Sequence, residues 1–96
     1  MTKRGKRLDH WYRNPPTDAP KDQVIAMLDY YFPGQYKWEG GSHIVITDER
    51  LLGIREYGPA GDFTIPVKSG KKVKGIYLQR LANVIDLLFD KEGEEE

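Results

Sequence analysis

The spacing of apolar and polar positions changes several times along the chain, and each change predicts an element. Between residues 22 and 32, Ile25, Leu28 and Phe32 recur at i, i+3 and i+7, with Val24, Met27 and Tyr31 widening the stripe, so the segment reads as an amphipathic helix. Asp22 stands where a side-chain oxygen caps a first turn, and Pro33-Gly34 ends the helix. The period then drops to two. Tyr36 and Trp38 flank Lys37, a turn follows at Glu39-Gly40-Gly41, and His43-Ile44-Val45-Ile46-Thr47 completes a hairpin. Because strand side chains alternate, Ile44 and Ile46 share one face while His43 and Val45 share the other. Helices are expected to cover the isoleucines, which leaves His43 on the outer face.

Residues 48–61 hold three glycines and a proline and predict a long connection, with extended backbone at residues 52–57. Phe63, Ile65 and Val67 then alternate inward in a third strand, where Pro66 is tolerable only near an end or an edge. A basic loop at residues 68–74 leads into a second helix over residues 75–89, whose stripe is Leu78, Leu81, Ile85 and Leu88, helped by Ala82, Val84 and Phe89. The order helix, three strands, helix predicts the α+β class, a three-stranded antiparallel sheet with two helices on one face. Tyr36 and Trp38 fit the core of such a domain better than a base-stacking surface.

At 96 residues the chain has room for one domain. Its 39% hydrophobic and 31% charged residues suggest a compact core with polar extensions. The formal charge is zero, with 15 basic and 15 acidic residues, but the charges are unevenly placed. Residues 1–20 carry five basic and two acidic side chains and three prolines, and read as a flexible basic arm from which Leu8, Trp11 and Tyr12 can dock. Residues 21–89 form the domain, and residues 90–96, with five acids and one lysine, read as a disordered acidic tail. Lys68, Lys71, Lys72, Lys74 and Arg80 lie in a stretch, residues 64–83, that contains no acid. The absence of cysteine removes disulfides and thiolate chemistry, and no apolar run approaches the roughly 18 residues of a membrane span. A cytoplasmic protein with no membrane partner is the expectation.

His43 is the one histidine inside a predicted ordered element, and so the candidate acid or base. An imidazole can take a proton from a ribose 2′-hydroxyl or give one to a leaving 5′-oxygen, the two steps of metal-free RNA cleavage. Gly41 leaves backbone N–H groups open to a phosphate, and the Ser42 hydroxyl is a further donor. The residues alone fit an ordinary exposed strand histidine after a glycine turn better than a catalytic one. Lys68, Lys71, Lys72 and Lys74, beside a helix start, read as a phosphate clamp or as a solvated charged turn. Neither a metal-ligand spacing nor a nucleotide-binding glycine motif is present, so no cofactor is expected.

Gly41-Ser42-His43-Ile44-Val45-Ile46, then Phe63-Thr64-Ile65-Pro66-Val67, then Gly70-Lys71-Lys72-Val73-Lys74-Gly75 and the following helix together resemble the HicA family over residues 22–88. These are small mRNA-cleaving toxins of bacterial toxin–antitoxin pairs. The resemblance implies a double-stranded-RNA-binding-domain-like fold, metal-independent endoribonuclease activity on mRNA, and a HicB-like antitoxin as protein partner. It places the catalytic role on His43, with Gly41 and Ser42 as flanking motif positions. Where many members carry a second histidine this chain has Ile44, and its connection at residues 48–61 is longer. A non-catalytic RNA-binding module of the same fold and a protein-interaction domain are the alternatives.

Overall fold

The computed structural model describes residues 3–52 and 61–94, with residues 90–94 described by backbone alone. The elements run α1 (Lys3–Arg13), β1 (Asp18–Pro20), α2 (Lys21–Tyr31), β2 (Tyr36–Glu39), β3 (His43–Thr47), a 3-10 turn (Glu49–Leu51), β4 (Asp62–Pro66), β5 (Lys72–Lys74) and α3 (Gly75–Glu94). The chain is α+β, and β2, β3 and β4 form the expected three-stranded antiparallel sheet with β3 in the centre. Ile44 faces Trp38 and Ile65, and Ile46 faces Tyr36 and Phe63. Ile44, Ile46 and Ile65 are buried in one cluster with Val24, Leu28 and Phe32 of the α2 segment and Leu78, Leu81 and Ile85 of α3. The two helical stripes and the sheet alternation therefore meet as their periods require. Pro66 ends an edge strand, where its missing N–H costs no ladder bond.

The N-terminal segment departs from the flexible arm expected over residues 1–20. Lys3–Arg13 is helical, and Trp11 is only 1% exposed, in the same core as α3. The three prolines all follow Arg13, so they end the helix without breaking it. Leu8 and Trp11, one turn apart, supply a narrow apolar seam, and one buried tryptophan removes about 150–250 Å² from water. Gln79 on α3 fastens the C-terminal end of α1 by donating to the Tyr12 carbonyl at 3.1 Å. Among the described residues, three α-helices thus stand where two were expected. Past α1 the chain turns back as β1, which pairs antiparallel with β5, Asp18 opposite Lys74 and Pro20 opposite Lys72.

Other expectations shift as well. Pro20, not Asp22, occupies the N-cap of α2, and no side chain caps it, while Asp22 sits in the first turn against Lys21. Trp38, on edge strand β2, is 40% exposed and not the core residue expected. The acidic stretch begins as helix, since α3 runs to Glu94. Of the long connection, residues 53–60, including most of the expected extended stretch, lie outside the described residues.

The start of that connection holds a buried carboxylate. Asp48, 1% exposed, accepts from the Arg50 backbone N–H at 2.9 Å and from the Arg50 guanidinium at 2.9 and 2.6 Å. The guanidinium in turn lies 4.5 Å from the centre of the Phe89 ring on α3. Hydrogen bonding from the Arg50 side chain, above all, holds the Asp48 carboxyl below its usual range. A folded-state pKa below the unfolded value contributes stability that is present above about pH 4 and disappears as pH falls through the folded value. Asp48→Asn is therefore expected to lower stability by about 1–3 kcal/mol at pH 7. In thermal melts at pH 7 and pH 3 the gap between variant and wild type should narrow at the lower pH, and a constant gap would contradict the assignment.

Candidate RNA-cleavage site

The β2–β3 turn is built by its glycines. Gly40 and Gly41 both have positive φ, 65° and 73°, a conformation that side-chain-bearing residues rarely adopt. The Ser42 N–H donates to the Glu39 carbonyl at 3.4 Å and closes the turn, so His43 begins β3. Alternation then puts His43 on the outer face, and it is exposed while Ile44 beside it is buried. The expected placement of the imidazole is met.

Across the sheet His43 faces Glu39 on β2 and Pro66 on β4. Directly opposed residues on one face stand about 5 Å apart at Cβ, so the Glu39 carboxylate and the imidazole share one surface. Lys37, two residues back on the same face, holds that carboxylate at 3.2 Å. Glu39 is a titratable neighbour that local pattern does not reveal, because its position depends on hairpin register. The Ser42 hydroxyl lies 3.0 Å from His43 Nδ1, so it engages the ring and Nε2 is the nitrogen left for a substrate. Ser42 was expected as a phosphate donor, and in the structure its hydroxyl contacts the imidazole.

The basic segment expected as a loop is a small hairpin. Lys68 and Lys72 exchange backbone hydrogen bonds of 2.7 and 3.2 Å around Ser69-Gly70, and Lys72–Lys74 form β5. Val73 points into the core, while Lys68, Lys71, Lys72 and Lys74 are exposed. The Val67 N–H donates to the Ser42 carbonyl at 2.8 Å, so the residue before His43 is bonded to the residue before Lys68. That bond brings Gly41, Ser42 and His43 to the root of the lysine hairpin. Arg80, five residues into α3, is exposed and its guanidinium sits 5.8 Å from the Tyr77 ring centre. Asp18, opposite Lys74, is an acid that the pairing of β1 brings into the basic surface from 56 positions away.

No group of three or more His, Asp or Glu able to hold a metal ion occurs among the described residues. Nor is any described helix long and apolar enough to cross a membrane. No protein-family model matches the chain, and no curated protein or solved structure gives a significant match.

Proposed function

We propose that this protein is a metal-independent endoribonuclease of the HicA type, with a double-stranded-RNA-binding-domain-like core, cleaving mRNA in the cytoplasm as the toxin of a pair whose HicB-like antitoxin covers the site. The observation that carries the reading is the 2.8 Å bond from Val67 to Ser42, which ties the turn before an exposed histidine to the root of an exposed lysine hairpin. His43 takes the proton of a ribose 2′-hydroxyl, the 2′-oxygen attacks the adjacent phosphorus, and the 5′-oxygen leaves with a proton returned by the imidazolium. Lys68, Lys71, Lys72 and Lys74 hold the phosphates and offset the charge that builds on the pentacoordinate phosphorus.

Incubation of the purified protein with RNA in EDTA should yield fragments ending in 2′,3′-cyclic phosphate, and RNA left intact by folded protein would refute the reading. Replacing Lys71, Lys72 and Lys74 by glutamine should weaken RNA binding about tenfold or more at low salt. It should also flatten the plot of log K against log salt by about 2 units, since each single-strand phosphate contact contributes about 0.7. A second reading, a non-cleaving RNA-binding module, is favoured by the burial of Ile44 in the core, which leaves His43 without a second imidazole beside it. RNA binding through the same lysines without cleavage in EDTA would select it.

A further inference from the structure

On the helical side of the molecule, a groove of about 390 Å³ opens between α1 and α2, lined by Arg4, Arg7, Gln23, Met27, Asp29 and Tyr30 among others. We propose that this groove binds a nucleotide, its phosphate on Arg4 and Arg7 and its base against the apolar floor. The volume lies within the range of small-ligand sites, which run to about 300–1,000 Å³. Arg4 and Arg7 are one helical turn apart and project to the same side of α1. The Arg4 guanidinium stacks 3.3 Å from the centre of the Tyr30 ring, so its plane is fixed before any ligand arrives. Its Nε is shut away from water without a hydrogen-bond acceptor, and no ion pair with Arg4 or Arg7 occurs among the described residues.

Asp29, the one carboxylate among the described residues of the lining, is already engaged. Asp29 accepts a hydrogen bond from the Tyr36 hydroxyl, which pushes the phenol above its usual range and turns the acid toward β2. Two guanidinium groups matched in geometry to phosphate oxygens are thus left facing a cavity whose floor is apolar. Exposed Ala26 and Tyr30 offer a surface for a base beside the buried Met27, and the Gln23 amide supplies a donor and an acceptor for its edge. The groove adjoins Tyr36, at the end of the β2–β3 hairpin opposite to His43, and does not depend on the cleavage reading.

Titration with adenosine monophosphate, inorganic phosphate or adenosine, read from the Tyr30 and Gln23 NMR resonances, tests the assignment. The nucleotide should bind about tenfold more tightly than phosphate or adenosine alone, and Arg7→Gln, at an exposed position, should weaken it about tenfold without altering the melting temperature. His43→Ala should bind the nucleotide as the wild type does, which separates this site from the cleavage centre. A 5′-phosphorylated oligoribonucleotide binding more tightly than the mononucleotide identifies the ligand as an RNA end, and the reverse order identifies a free nucleotide. No saturable shift up to about 10 mM nucleotide, equal affinity for phosphate, or unchanged binding by Arg7→Gln overturns the proposal.

Discussion

Replacing Gly75 by alanine is expected to lower the melting temperature by about 10 °C, in a position where helix propensity alone predicts the opposite. Gly75 is the first residue of α3, and its N–H donates to the Thr17 carbonyl at 2.8 Å. A Cβ there would lie 2.1 Å from the Pro16 carbonyl oxygen and 3.4 Å from that of Thr17. Alanine gains about 1 kcal/mol over glycine in a helix interior, and less at a terminus. An overlap of more than an ångström with backbone costs more, since main-chain atoms cannot rotate away as a side chain can. Pro16 is further held by the pairing of Asp18 with Lys74 just beyond it. Overpacking of this kind costs about 1–3 kcal/mol and more where the neighbour is rigid, so a net loss of about 2 kcal/mol is expected.

The loss should be felt along the N-terminal segment, because relief of the clash requires Pro16 and Thr17 to move off α3. Trp11 would then lose its burial, which a red shift of its emission in a Trp38→Phe background reports. Gly70→Ala, at a turn with positive φ and open space around it, should leave Trp11 in place while still costing turn strain. Melting of Gly75→Ala at the wild-type temperature would show that the crossing of α3 by the N-terminal segment does not persist in solution.

How much of this could be read beforehand depends on whether an element announces itself locally. The stripe of α3 repeats over Leu78, Leu81 and Ile85, and all three are buried as its period requires. In β3 the alternation of exposed and covered positions placed His43 on the outer face, since only one phase of the pleat buries Ile44 and Ile46. The helix α1 has no comparable pattern. Leu8 and Trp11 are two apolar residues among five cations, and counting apolar positions gives a tryptophan no more weight than an alanine. Strands β1 and β5 have three residues each, too few to show a period, and they pair across more than fifty intervening positions.

The site divides the same way. Gly41, Ser42 and His43 are legible because glycines and alternation act locally, whereas the closeness of His43 to Lys68 follows from one backbone bond between strands. Glu39 was unmarked because its partnership with His43 is set by the register of a turn. Asp48 resembled any polar residue at the head of a connection, and its burial with Arg50 depends on α3 passing close by.

His43→Ala is expected to reduce RNA cleavage by about a hundredfold or more, the usual contribution of a positioned proton-transfer group. The side chain is exposed on the outer sheet face, and its one described side-chain hydrogen bond is to Ser42, so its removal leaves the core intact. The melting temperature should accordingly stay near that of the wild type. RNA binding should also persist, because Lys68, Lys71, Lys72 and Lys74, the proposed phosphate contacts, are untouched. The variant therefore separates catalysis from binding, lowering kcat with little change in KM, while the triple lysine variant should raise KM. Ser42→Ala should give a smaller loss in kcat, since it frees the ring to rotate but leaves the imidazole in place. Glu39→Gln tests whether the cross-strand carboxylate assists proton transfer, and a changed pH profile would mark that role. Cleavage by His43→Ala at the wild-type rate would remove the proton-transfer assignment, and with it the argument for an enzyme centred on the β2–β3 turn.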